Sequence, residues 1–240
     1  VSSVAFRKDS LTLFSGSYDR TLKIYDIEQM NYLETLYGHQ APVTSIDALY
    51  PERAFSVGAD HTLRIWKIAT ESQLLLKAPN SQMSIDTVAA FSTDYLVSGS
   101  QDGSLSLWYG NKKKPVDTVA NAHGSTWISG VAALYSTDLC ASGGADGYVR
   151  FWQAGLANNK LKELFRAPVV GHVNGLAFGQ KGKYAVAAVG QEHKFGRWSR
   201  IPAARNGVHL INLEKVAAQF SYDQEDEDAD GSEDDFFAEE

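Results

Sequence analysis

Four segments of the sequence repeat one pattern. Small residues lead into a turn that carries an aspartate, and an alternating strand then ends on an aromatic residue. The turn residues are Asp19, Asp60, Asp102 and Asp146, and the aromatic residues are Tyr25, Trp66, Trp108 and Trp152. Successive aspartates are 41, 42 and 44 residues apart. A repeat of about 40–45 residues with four short strands is typical of a WD-type propeller blade. The sequence therefore predicts an all-β fold of the WD40 β-propeller class.

A fifth, degenerate unit follows the four regular ones. Residues 173–178 and 183–189 are interpreted as its first two strands, Trp198 as the aromatic end of its third, and residues 207–213 as its fourth. Its turn is longer and has Glu192 in place of the aspartate. Propellers close with roughly four to eight blades, and WD rings usually have seven. We therefore expect residues 1–213 to form about five of seven blades, with the missing blades before Val1. A complete five-blade ring is the alternative.

The charge of the chain is unevenly distributed. The net charge is −7, but residues 214–240 contain twelve acidic residues and one lysine, whereas the rest has 17 acidic and 21 basic residues. We expect residues 214–240 to form a disordered acidic tail, because such a composition buries too little apolar surface to offset ordering. A mildly basic body favours an anionic partner. The apolar runs are shorter than the roughly 20 residues of a membrane span, so we expect no membrane contact.

Two sets of four polar and aromatic side chains recur at similar spacing. They are His39, Ser56, Asp60 and Trp66, and His123, Ser142, Asp146 and Trp152. A Ser-His-Asp catalytic triad is needed once, whereas a structural device recurs with the blade. We therefore interpret both sets as buried hydrogen-bond networks and expect no enzymatic activity. The single cysteine, Cys140, is interpreted as a buried structural thiol. The histidines lack the spacing of metal ligands, so we expect neither a metal nor a cofactor.

Blade geometry sorts the loop cations onto two faces. With the strands of each blade lettered a to d in chain order, we call the face with the d–a and b–c loops the upper face, and the face with the a–b and c–d loops the lower face. The upper face is expected to carry Arg20, Lys194 and Arg197. The lower face is expected to carry Arg7, Lys8, Arg53, Lys112, Lys113, Lys114, Lys160, Lys181, Lys183 and Arg205. Contiguous lysines 112–114 are candidates for phosphate contacts, with a merely solvated loop as the alternative.

Trp127 is an extra aromatic residue in the long turn before the fourth blade. It is a candidate for stacking on a base or on a partner side chain, and packing against the neighbouring blade is the alternative.

The degenerate unit carries the most specific part of the sequence. Its segment VGQEHKFGRW, residues 189–198, followed by ARNGV, residues 204–208, resembles the C-terminal blade of the U3 small nucleolar RNA-interacting protein 2 family. The resemblance extends over about residues 1–213. It implies a non-catalytic, seven-bladed scaffold of the U3 snoRNP in the nucleolus, which acts in pre-rRNA processing and small-subunit ribosome biogenesis.

The resemblance also implies partners. These are the box B/C region of U3 snoRNA, the box C/D core proteins, the kink-turn-binding protein and other small-subunit processome proteins. His193, Lys194 and Arg197, together with Arg20, are then candidate contacts on the upper face, and residues 112–114 on the lower. A protein-interaction propeller without RNA binding is the alternative function.

Overall fold

The computed structural model describes residues 1–8, 10–49, 53–78, 83–155, 158–179 and 182–214, and residues 215–240 of the acidic tail lie outside them. Four antiparallel four-stranded sheets follow one another along the chain. The first blade comprises β1 (Ser3–Phe6), β2 (Thr12–Gly16), β3 (Leu22–Asp26) and β4 (Asn31–Leu36). The second comprises β5 (Val43–Leu49), β6 (Arg53–Gly58), β7 (Thr62–Lys67) and β8 (Ser72–Lys77), with a 3-10 turn at Ile68–Thr70 before β8.

The third and fourth blades repeat this order. The third comprises β9 (Ile85–Ala90), β10 (Tyr95–Ser100), β11 (Leu105–Tyr109) and β12 (Asp117–Val119). A short strand, β13 (Ala122–Ser125), lies in the connection to the fourth blade. The fourth comprises β14 (Gly130–Ala133), β15 (Leu139–Gly143), β16 (Tyr148–Gly155) and β17 (Lys160–Pro168). The first strands of successive blades are neighbours and line a central channel. The WD40 β-propeller prediction is thus confirmed.

Alternation along the third strand of each blade builds the core between blades. In β7, the buried Leu63 and Ile65 pack in one cluster with Trp108 of the next blade. Trp66, which points to the opposite side, packs in a second cluster with Phe14 of the preceding blade. The second blade therefore buries both faces against its neighbours, and each large buried side chain contributes about 1.5–3 kcal/mol of hydrophobic stabilisation.

The fifth blade differs from the sequence prediction. It has three strands, β18 (His172–Phe178), β19 (Tyr184–Gly190) and β22 (Gly207–Asn212), and β22 pairs directly with β19. Residues 207–213 were therefore wrongly assigned to a fourth strand, because they occupy the third position. The segment with Trp198 forms a separate hairpin, β20 (Glu192–His193) with β21 (Gly196–Arg200). The physical reason is burial: β22 supplies Ile211 to the core, whereas β21 contains no aliphatic side chain.

Residues 191–206 consequently form one long insertion between the second and third strands of the fifth blade. We call this segment the insertion. Because β19 ends and β22 begins on the upper face, the whole insertion lies there. Arg205 is part of it, so its expected place on the lower face was wrong.

Candidate nucleic-acid interface

Hydrogen bonds attach the insertion to the fifth blade and join its two ends to each other. The side-chain amide of Asn174, in β18, donates from Nδ2 to the Glu192 carbonyl at 2.9 Å and accepts the Lys194 N–H at 2.8 Å. Within the insertion, the Gln191 N–H donates to Asn206 Oδ1 at 2.8 Å, and Gln191 Nε2 donates to the Ala204 carbonyl at 2.8 Å. The insertion is therefore an ordered structure despite lying outside the blade sheet.

An aromatic cluster joins the insertion to the loop before the fourth blade. The Trp127 ring lies 4.7 Å from the His193 ring, 5.4 Å from that of Trp198 and 6.4 Å from that of Phe195, between ring centroids. The 86° angle between the Trp127 and His193 planes is the edge-to-face arrangement that aromatic rings prefer. Trp127 thus packs against the insertion of the neighbouring blade, and its role in stacking on a base or a partner side chain stays a prediction.

His193 lies inside this cluster. It is 9% exposed, and its Nδ1 accepts the Phe195 N–H at 3.2 Å. Burial lowers its pKa to about 4, with further contributions from nearby His172 and Lys194. The ring is therefore neutral at pH 7. The expectation of a contact residue does not suit this position, because the ring supports the aromatic cluster and presents little surface to a partner.

Ser199 restores a hydrogen bond that the fifth blade otherwise lacks. In the second blade, His39 Nε2 bonds to Ser56 Oγ, a serine of the second strand. The corresponding residue of the fifth blade, His172, has alanines on its second strand and instead bonds through Nε2 to Ser199 Oγ at 3.1 Å. Sequence reasoning did not find Ser199, because the serine comes from the insertion and not from the repeat position.

Lys194 extends toward the central channel. Its Nζ donates to the Ser129 carbonyl at 2.6 Å and lies 4.9 Å from the Phe195 ring centroid. Burial lowers the pKa of Lys194, and the charge of Asp86 opposes that shift. Asp86, on β9, has its own pKa raised to about 6 by burial. Its Oδ2 is buried without a hydrogen-bond partner among the described residues. Lys194 is exposed as a residue, but its ammonium is directed into the central channel, where it is held on the Ser129 carbonyl.

The exposed part of the insertion is basic. Arg197 has an 87% exposed side chain whose Nε lies 3.0 Å from Glu192 Oε2, and Arg200 donates from Nη2 to Gln191 Oε1 at 2.9 Å. Arg205 is also exposed. Glu192 is the single acidic residue among four cations in the insertion. Arg20 is exposed on the same face, in a turn of the first blade.

Some of the lower-face cations are exposed to solvent, and others contact an acidic or aromatic side chain. Lysines 112–114 are exposed, and Lys112 and Lys113 line a groove beside β8. Arg53 pairs with Asp94 at 3.0 Å, and Lys8 Nζ lies 3.3 Å from the Tyr135 ring centroid. Lys181 lies outside the described residues. Among the cations named here, residues 112–114 therefore form the contiguous exposed cluster of this face.

The structure brings each of the two polar sets together. His39 Nδ1 lies 2.9 Å from Asp60 Oδ2, its Nε2 lies 2.7 Å from Ser56 Oγ, and Trp66 Nε1 donates to the same oxygen at 2.8 Å. Burial raises the pKa of Asp60, but hydrogen bonds from His39 and Thr62 outweigh it and leave that pKa below its ordinary value. Ser56 is 0% exposed, so its hydroxyl is closed to a substrate.

The fourth blade repeats this geometry. His123 lies 2.9 Å from Asp146 and 2.7 Å from Ser142, and Trp152 donates to Ser142 at 2.8 Å. Cys140, on β15, is also buried, and burial raises its thiol pKa. Within the described parts of the chain, no cluster of three or more His, Cys, Asp or Glu side chains could bind a metal ion. No helix there is long and apolar enough to span a membrane.

Comparison with known proteins places the chain among the WD-repeat propellers. The family model for the WD domain, G-beta repeat, matches residues 1–26, 30–67, 76–109 and 113–153. Those ranges cover the first three strands of each of the four regular blades and stop before the fifth blade.

The relatives are more specific. The chain is 39% identical over 228 residues to the Arabidopsis thaliana U3 snoRNP-associated protein-like EMB2271. This match covers 89% of this chain and 47% of the relative. It is 43% identical over 155 residues to human U3 small nucleolar RNA-interacting protein 2, covering 61% of this chain and 32% of the relative. The solved structure of U3-55K superposes with a TM-score of 0.86 at 43% identity, covering 89% of this chain and 68% of that one.

The chain therefore belongs to the U3 small nucleolar RNA-interacting protein 2 family, as the resemblance of residues 189–198 predicted. It spans about half the length of the Arabidopsis relative and about a third of the human one.

Proposed function

We propose that this protein is a non-catalytic RNA–protein scaffold of the U3 snoRNP. It binds the box B/C region of U3 snoRNA and acts in the nucleolus, in pre-rRNA processing and small-subunit ribosome biogenesis. The box C/D core proteins, the kink-turn-binding protein and other processome proteins are its neighbours. The observation that carries the proposal is the ordered basic insertion on the upper face, in the segment that identifies the family.

The chemistry of the two faces supports an RNA-binding role for the insertion. Arg197, Arg200 and Arg205 are exposed there, and guanidinium groups suit bidentate contacts to phosphates. Burial keeps His193 neutral, so the arginines set the sign of the surface. Phosphate contacts of this kind position a protein on RNA through shape and charge. Lysines 112–114, on the opposite face, are candidates for a second contact, with RNA or with a protein.

The buried polar networks support a structural role for the residues that resemble a triad. Each serine accepts a hydrogen bond from a tryptophan N–H and interacts with a histidine beneath the surface. Removing such a partner leaves a buried polar group unsatisfied, which costs about 1–3 kcal/mol. The networks therefore stabilise the blades, and the proposed scaffold role requires no catalysis by these residues.

The test is equilibrium binding of the full-length protein to U3 box B/C RNA at several salt concentrations. Arg197→Gln with Arg205→Gln should weaken binding and lower the slope of log K against log salt by about 1–2, because fewer counterions are released. The matched control is a lower-face variant with Lys160→Gln and Lys183→Gln, two exposed lysines outside both candidate contact regions, and it should keep the affinity and salt slope of wild type. A wild-type protein that binds an unrelated structured RNA equally well would contradict the proposal and favour the protein-interaction alternative.

A further inference from the structure

Trp198 is exposed, whereas the tryptophans in the third strands of the second, third and fourth blades are buried. It is 69% exposed, whereas Trp66, Trp108 and Trp152 are 4%, 0% and 3% exposed. The three buried rings each donate an indole N–H to a serine of their own blade. Trp198 lies on the hairpin of the insertion instead, so a large aromatic surface faces outward. Its exposure is a consequence of the insertion and not of an unfolded segment.

The exposed ring is supported from beneath. Its centroid lies 5.4 Å from that of Trp127. A Cβ at Gly196 would lie 2.9–3.0 Å from three atoms of the Trp198 ring, so the ring lies directly over the Gly196 backbone. The next residue, Ser199, bonds to His172 of the blade. The ring is therefore held in position without being buried, which lowers the entropy lost when a ligand stacks on it.

The surroundings of the ring are cationic. Alternation along β21 places Trp198 and Arg200 on one side of the hairpin, and Arg197 on the other side, next to Trp198 in the chain. Arg197 and Arg200 are exposed, and the carboxylate of Glu192 lies beside Arg197. An aromatic platform with neighbouring arginines matches an unpaired base with its phosphates, because bases stack on aromatic rings while guanidinium groups contact the backbone.

We propose that Trp198 is a stacking platform for one unpaired base of the bound RNA, with Arg197 and Arg200 contacting the adjoining phosphates. This inference rests on the proposed function, since it specifies how the insertion recognises RNA. It adds a preference for single-stranded RNA that the arginines alone do not provide.

The experiment measures binding of U3 box B/C RNA to full-length Trp198→Ala, Trp198→Phe and wild-type protein. Loss of one base stack should weaken Trp198→Ala by about 5- to 150-fold. Trp198→Phe should retain most of the affinity, and the salt slope of both variants should match wild type, because no phosphate contact is lost. Tyr18→Ala is the matched control, since Tyr18 is an exposed aromatic residue on the upper face of the first blade. This control should bind like wild type.

Annealing a complementary strand to the unpaired segments of the RNA should abolish the difference between Trp198→Ala and wild type. Equal affinity of the two proteins for the unannealed RNA would overturn the stacking inference and leave the proposed function standing. Equal RNA affinity with loss of snoRNP proteins from a Trp198→Ala pull-down would assign the ring to a protein partner. A wild-type protein without preference for U3 RNA would instead defeat the proposed function, and the inference with it.

Discussion

The imidazole of His193 lies edge-on against the indole of Trp127, with ring centroids 4.7 Å apart. This contact joins the loop before the fourth blade to the insertion of the fifth blade. It explains why His193 is buried and why the insertion is ordered although it belongs to no blade sheet. The upper face near the fifth blade is thus assembled from two blades.

Trp127→Ala should loosen the insertion with little effect on the sheets. The variant removes an aromatic pair worth about 0.5–1.5 kcal/mol beyond its buried area. Amide hydrogen exchange should therefore accelerate in residues 191–206, while β5 to β8 stay as protected as in wild type. RNA affinity should fall together with the lost protection. Trp127→Phe should behave nearly as wild type, and unchanged exchange in Trp127→Ala would disprove this role.

Ser56→Ala should destabilise the second blade without removing any catalysis. The change leaves the Trp66 N–H and His39 Nε2 without their shared partner, at a cost of about 1–3 kcal/mol. Denaturant unfolding of the purified protein measures this difference.

Ser98→Ala is the comparison for that variant. Among the described residues, one side chain, that of Trp108, bonds to Ser98. Its cost should therefore be smaller than that of Ser56→Ala. Equal costs for the two serines would show that the histidine adds nothing to the network.

Asp86→Asn should stabilise the protein at neutral pH. Burial raises the pKa of Asp86 to about 6, above its ordinary value of 3.8. The folded state therefore binds more protons than the unfolded state between these values, and the contribution of Asp86 to stability falls as pH rises through that window. The shift corresponds to a penalty of about 2–3 kcal/mol above pH 6.

Unfolding free energies of Asp86→Asn and wild type should consequently coincide below about pH 4 and diverge up to about pH 6. A constant difference across the whole pH range would mean that the ionisation of Asp86 is not the cause. The charge of Asp102 also raises the Asp86 pKa, so Asp102→Asn should lower that pKa and reduce the stability difference by a smaller amount.

His193→Asn should make the protein less sensitive to acid. The folded-state pKa of His193 is lowered to about 4, from an ordinary value of 6.5. As the pH falls through this window, the unfolded state gains a proton that the folded state does not, so stability is lost. The asparagine can still accept the Phe195 N–H without titrating. A wild-type and a variant protein that lose stability in parallel between pH 6.5 and 4 would refute this assignment.

The regular blades were predictable because local pattern and packing agree there. The alternation of Leu63, Ile65 and Trp66 defined a strand with two buried faces, and the repeated spacing brought His39 to Ser56. The fifth blade was not predictable in the same way. Both β21 and β22 have strand-like sequences, and the choice between them is made by burial of Ile211 against β19, a contact between distant segments.

The same limit applies to the candidate site. Nothing in the sequence near His193 indicates that Trp127 would cover it, so a residue that looked like an exposed contact is buried. Arg205 likewise lies on the upper face, and not on the lower one, because β22 is the third strand of the blade and Arg205 comes just before it. The exposed surface that remains, around Trp198 and Arg197, could be defined only once the position of the hairpin was known.

The central claim is that the insertion is the RNA-contacting segment, and crosslink mapping tests it most directly. U3 box B/C RNA would be crosslinked by ultraviolet light to the full-length protein, and the adducts located by mass spectrometry. We expect adducts within residues 191–206, centred on Trp198, and their loss in Trp198→Ala. A protein that crosslinks efficiently at other positions, such as residues 112–114, with no adduct in the insertion would contradict this account.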